Sequence, residues 1–177
     1  MRTVIEFPKI LIGAVNGPAV GVGATLLLHM DVVVAWESAT AWMPFARIAV
    51  VPEFCSTRLL PARVGASLAG EMLYAQAKIS ASTAASAGWF SSVVSGSDGS
   101  GVLPRALEIA SSMLAPPLAL SSLSLFKSMV HASSPTPPSL LVSICESELH
   151  ALDARLSSGD TLTAALALQQ QRTTSKL

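Results

Sequence analysis

Residues 50–61 read VVPEFCSTRLLP and place one carboxylate, Glu53, among Val50, Val51, Pro52, Phe54 and Cys55. The nearest basic residues are Arg47 and Arg58. An apolar setting disfavours the ionised form of a carboxyl and makes it a stronger base. The other reading is a helix-capping carboxylate, because Pro52 and Glu53 suit the first turn of a helix over residues 52–60. A second candidate is the glycine-rich turn NGPAVGVG, residues 16–23, which follows an apolar run and opens a helical one. Amides at such a turn favour developing negative charge, as in an oxyanion hole. The spacing of Gly17, Gly21 and Gly23 is not that of a dinucleotide fingerprint, and no phosphate-loop lysine follows. A purely structural turn is the alternative. His29, His131 and His150 are scattered, and Cys55 and Cys145 lack metal-ligand spacing, so neither a nucleophilic triad nor a metal site is expected.

The elements that must hold these residues follow from the apolar pattern. Residues 9–15 (KILIGAV) read as a buried strand ended by Asn16-Gly17, residues 21–29 as a helix, and residues 31–36 (DVVVAW) as a second buried strand. A short third strand is expected over 40–43, helices over 65–75 and 80–87, and a strand over 91–94. Ser80 caps the latter helix and Gly88 closes it. From Gly101 onward strand signals stop, and helices are expected over 102–114, 118–131, 138–156 and 160–170. The order predicts an α/β core of strand–helix repeats over residues 1–98 and a C-terminal helical region over 99–177, with 95–101 as the linker.

Composition narrows the function classes. Of the 177 residues, 51% are hydrophobic and 12% charged, and the formal net charge is +0. There is ample material for a core. No basic block exists to favour nucleic acid, and so apolar and neutral a chain is expected to self-associate. Residues 10–30 are long enough and apolar enough to cross a bilayer, but Asn16-Gly17-Pro18 and two further glycines split the run into a strand and a helix. Glu6, Pro8 and Lys9 interrupt any leader-like apolar stretch. The cysteines are expected to be buried, reduced thiols.

Together these segments resemble the crotonase (enoyl-CoA hydratase/isomerase) superfamily. The resemblance rests on KILIGAVNGPAVGVG, then Asp31, MPFARIAVVPE, LLPARVGASLAGEML and AKISASTAASAGWFSSVV, and extends to Lys127, Cys145-Glu146 and Arg155-Leu156-Ser157. It is nearest to the peroxisomal Δ3,Δ2-enoyl-CoA isomerases. It implies a crotonase-like α/β fold, a fatty acyl-CoA thioester as substrate, no cofactor and no metal, and a homo-oligomer, a trimer by the family's habit. Members that hydrate double bonds use two carboxylates, at positions where this chain carries Thr25 and Phe45, which disfavours hydration. The isomerases use one Glu, and Glu53 falls on that position. The reaction implied moves a 3 double bond to trans-2, as β-oxidation of unsaturated fatty acids requires. The resemblance makes Val22 N–H, between Gly21 and Gly23, an oxyanion donor. Phe45 and Phe54 are candidates for the acyl pocket, and Arg47 and Lys127 for coenzyme A contacts or packing.

Relative to the family, the chain is expected to lack an N-terminal region that supplies strand–helix repeats, a second oxyanion amide and much of the adenine site. That expectation raises a non-catalytic subunit assembling with longer relatives as the alternative function. The final Ser175-Lys176-Leu177 matches the tripeptide read by the peroxisomal import receptor, which implies a peroxisomal or glycosomal location.

Overall fold

The computed structural model describes residues 1–114 and 119–174. A short helix α1 (Arg2–Ile5) leads to strand β1 (Ile12–Val15). After the glycine turn come β2 (Ala19–Val20), α2 (Val22–Leu27), β3 (Val32–Trp36) and β4 (Thr40–Trp42). A 3-10 turn (Ala46–Ile48) precedes α3 (Ser56–Val64) and α4 (Ala66–Leu73). Then follow β5 (Ile79–Ser80), α5 (Ala81–Ser86) and β6 (Ser92–Val94). The rest is helical: α6 (Val102–Leu114), α7 (Ala119–Ser133), α8 (Pro138–Ser157) and α9 (Asp160–Thr174).

Two small sheets form the centre. The first is parallel, in the order β1-β3-β6, with Ile12 opposite Val32 and Val34 opposite Ser92. Its middle strand is a continuous apolar run because it is covered on both faces: Val33, Val34 and Ala35 are at most 1% exposed. The second runs β2-β4-β5, with β2 parallel and β5 antiparallel to β4. The main core gathers Leu27, Leu28, Met43, Leu60, Met72 and Trp89 between these sheets and α2 to α5. On the other face of β3, Val34 packs against Val102 and Ala106 of α6.

The apolar run over 10–30 is split as its punctuation predicts, and no described helix is long and apolar enough to cross a membrane. Ser80 Oγ accepts from Thr83 N at 3.1 Å, the expected cap of α5, and Pro138 opens α8.

Three expectations are corrected. The helix expected over 52–60 begins at Ser56 and runs through Pro61 to Val64, because Phe54 (φ 55°) and Cys55 (φ 61°) adopt left-handed backbone conformations that no helix accepts. Strands β2 and β5, of two residues each, were too short to show a period. The stretch 95–101 is a pinned turn, not a free linker. Trp36 Nε1 donates to Gly96 O at 2.8 Å, Gly96 N donates to Glu37 Oε1 at 3.1 Å, and Gly99 (φ +71°) lies so close to Asn16 O and the Trp36 ring that a Cβ there would meet both within 3.2 Å.

Candidate active site

The glycine turn is set by the second sheet. β2 pairs with β4, and Gly21 N donates to Trp42 O at 2.9 Å, which fixes the point where the chain turns into α2. Gly21 holds φ 55° and ψ −122°, a conformation that favours glycine. Val22 and Gly23 follow as the first two residues of α2, whose amides have no intrahelical acceptor. Nothing lies within 4 Å of where a Cβ would stand on Gly21 or Gly23, so the turn borders open space.

One turn into α2, Thr25 is fully buried, and its Oγ1 donates to Glu53 Oε1 at 3.3 Å. Thr25 Oγ1 also lies 3.3 Å from Val22 O, a second acceptor for its one proton. The structure therefore brings Glu53 to the helix that begins at Gly21–Val22. The Glu53 carboxyl is half-buried, and desolvation pushes its pKa up. The Thr25 bond opposes this, and the nearby Glu148 charge adds to it.

Glu53 does not cap α3. That role belongs to Glu148 of α8, a buried residue absent from the sequence-based candidates. Its Oε2 accepts from Cys55 N at 2.5 Å, and its Oε1 accepts from Thr57 N at 3.1 Å and from Thr57 Oγ1 at 2.6 Å. Pairing across 93 residues has no local signature; the one signal for it is that Glu148, unlike the exposed Glu146, follows Leu141 and Cys145 at helical spacing.

The two phenylalanines part company. Phe45 belongs to the main core, whereas Phe54 packs with Ile5, Cys55 and Cys145 in a separate cluster. Phe54 stacks on His29 with ring centroids 4.2 Å apart, and its carbonyl accepts from His29 Nε2 at 2.9 Å. Burial lowers the His29 pKa, against that carbonyl bond. The cysteines are buried and unpaired; burial pushes the Cys55 thiol up to about 12, so it is no nucleophile at neutral pH.

The two basic candidates are placed differently. Lys127 is buried, and its Nζ donates to Asp31 Oδ2 at 2.6 Å and Lys9 O at 2.8 Å. Arg47 is exposed, with its guanidinium 5.8 Å from the Trp42 ring centroid. A cavity of about 440 Å³ lies between α1, the turn after α2, α3, α7 and the start of α8, lined by His29, Arg63, Lys127 and His131 among others. Among the described residues, no group of three or more His, Cys, Asp or Glu could hold a metal ion. Ser175, Lys176 and Leu177 lie outside the described residues.

Comparison with known proteins gives the geometry a context. A family model described as enoyl-CoA hydratase/isomerase matches residues 1–154. "Enoyl-CoA delta isomerase 3, peroxisomal" of Mus musculus is 44% identical over 77 residues, which cover 44% of this chain and 24% of that protein. "Chromodomain Y-like protein 2" of Mus musculus is 40% identical over 95 residues, 52% of this chain and 18% of that protein. An enoyl-CoA hydratase/isomerase crystal structure from Pseudoalteromonas atlantica T6c superposes with a TM-score of 0.87 at 28% identity. It covers 96% of this chain, and this chain covers 65% of it. The matched stretch is thus a quarter or less of these two curated relatives and about two thirds of the solved neighbour.

Proposed function

The chain belongs to the enoyl-CoA hydratase/isomerase family and has the crotonase fold, and from that premise we propose that it is an isomerase moving a 3 double bond of a fatty acyl-CoA to trans-2. Glu53 is the base in this reading, and Val22 N–H is the oxyanion donor. The observation that carries it is the placement of Glu53. Its half-buried carboxyl, raised in pKa by desolvation, is tied to Thr25 one turn inside the helix whose free amides start at Val22.

The chemistry follows. The thioester carbonyl acidifies the C2 proton of a 3-enoyl-CoA, because the electron pair left behind spreads onto the carbonyl oxygen. Amides at the start of α2 stabilise that enolate oxygen. Glu53 takes the proton from C2 and returns it at C4, so no water and no cofactor is consumed. Hydration asks for two carboxylates free to orient a water. The position after Pro44 holds the buried Phe45, and α2 presents the hydroxyl of Thr25. Among the described residues, Glu148 is the further carboxylate that acts on Glu53, and both its oxygens accept from Cys55 and Thr57.

The test is conversion of 3-hexenoyl-CoA to 2-hexenoyl-CoA by the purified chain and by Glu53→Gln. Turnover that the substitution abolishes supports the reading, and turnover that survives it rejects Glu53 as the base. A second reading, a non-catalytic subunit assembling with longer relatives, is favoured by exposed apolar side chains on the C-terminal helices, among them Leu120, Leu125, Phe126, Met129, Leu162 and Leu166. It predicts a folded chain that is inactive and associates with those relatives. A self-associating trimer is the corresponding expectation for the enzyme.

The peroxisome is the proposed location, supported by the terminal Ser-Lys-Leu and by the similarity to a protein named as peroxisomal. Deleting Leu177 is expected to leave a fluorescently tagged chain in the cytosol; continued import would remove the tripeptide from the account.

A further inference from the structure

The loop that carries Glu53 is held from a distance. Two consecutive non-glycine residues, Phe54 and Cys55, sit in the left-handed region, a conformation that persists only where the surroundings impose it. Local sequence does not impose it: Cys55 offers no side-chain cap to α3. The restraint comes from one face of α8, where Leu141, Cys145 and Glu148 follow at helical spacing. Leu141 O accepts from Cys55 Sγ at 3.1 Å, Cys145 packs in the Phe54 cluster, and Glu148 takes the Cys55 and Thr57 amides together with the Thr57 hydroxyl.

We propose that Glu148 is the positioning residue of this site: by holding Cys55 and Thr57 from α8, its carboxylate fixes the left-handed turn that aims Glu53 at the start of α2. This rests on the reading of Glu53 as the base. Among the described residues, every hydrogen bond of this buried carboxylate goes to one turn, so the geometry of the base depends on the docking of a helix from the far end of the chain. Its charge also acts on Glu53. Among the described residues, the ionisable groups facing the loop include Glu148 and Cys145 of α8 and His29, just after α2.

The experiment uses the full chain with Glu148→Gln, Glu148→Asp and Thr57→Val. Two readouts are taken: 3-hexenoyl-CoA kinetics, and an NMR titration of the Glu53 carboxyl carbon together with the amide signals of Cys55 and Thr57. Glu148→Gln retains the shape but loses the charge. It is expected to lower kcat about 10- to 100-fold with little change in KM, and to move the Glu53 midpoint to lower pH. Glu148→Asp keeps the charge but withdraws it by one methylene, so kcat falls while the midpoint moves less. Thr57→Val removes one of the three bonds and gives a smaller loss in the same direction, so the proposal stays testable if Glu148→Gln does not fold. Unchanged kcat and unchanged Cys55 and Thr57 amide signals in the folded variants would overturn it. Survival of activity in Glu53→Gln would reject the base instead, while the amide signals would still report whether Glu148 holds the turn. The titration and the amide signals decide the matter even without turnover.

Discussion

The glycine turn at residues 21–23 offers main-chain amides, whereas the loop at 53–55 offers one side chain, and the two are secured in opposite ways. Gly21 reaches its positive φ at little cost, and one hydrogen bond to Trp42 O is enough to seat it. Phe54 and Cys55 reach theirs against their own side chains and need Glu148, Leu141 and His29 around them. An amide donor can be presented by local conformation alone. A base that must stand at the right place and at a raised pKa requires tertiary structure, because desolvation and a fixed turn both come from elsewhere in the chain.

That contrast can be broken at either end. The largest effect is expected at the side chain: with Glu53 as the proposed base, Glu53→Gln should cost about a thousandfold or more in kcat for 3-hexenoyl-CoA. At the main chain, Val22→Pro deletes the N–H while leaving the first helical position in a conformation proline accepts. It should cost about a hundredfold in kcat with the far-ultraviolet circular dichroism unchanged. Activity equal to wild type would move the oxyanion donor away from Val22.

Gly21→Ala tests conformation itself. Space is open around the Cβ, so only the backbone opposes the change, at about 1–3 kcal/mol in urea unfolding. A neutral result would mean that the turn relaxes readily.

The smallest effect concerns the cost of keeping the base. A carboxyl whose pKa is raised by folding contributes stability that is complete below its unfolded pKa and is lost as pH rises through its folded one. Glu53→Gln should therefore raise the melting temperature slightly at pH 7, and the gain should vanish near pH 3.5, where Glu53 is protonated in both states. A lower melting temperature at pH 7 would show that Glu53 is structural.

The sequence made the glycine side of the site legible and half of the carboxylate side. Residues 16–23 announce a turn because glycine and proline act locally, and DVVVAW announces a covered strand because its burial on both faces leaves no polar position. Glu53 stood out because charge in an apolar run is rare. Its cap did not: the first turn of α3 looked as if Pro52 and Glu53 began it, yet the helix starts only at Ser56, on a carboxylate from α8. The separate packing of Phe45 and Phe54 was equally hidden, since the short 3-10 turn and irregular chain between them carry no period to say which face each side chain takes.

Thr25 has one hydroxyl proton and two oxygens within 3.3 Å, Val22 O and Glu53 Oε1. A carboxylate that serves two carbons in turn must let go of whatever steadies it. Here the hydroxyl can rotate back to the helix carbonyl as the carboxylate leaves and rotate out again as it returns, so neither position strands a buried donor. For the proposed base, Thr25 would then be a two-position latch, with both acceptors in reach of its one hydroxyl. Thr25→Val would leave Glu53 with no resting place on that path, and Thr25→Ser would keep the swivel but lose the methyl that walls it in.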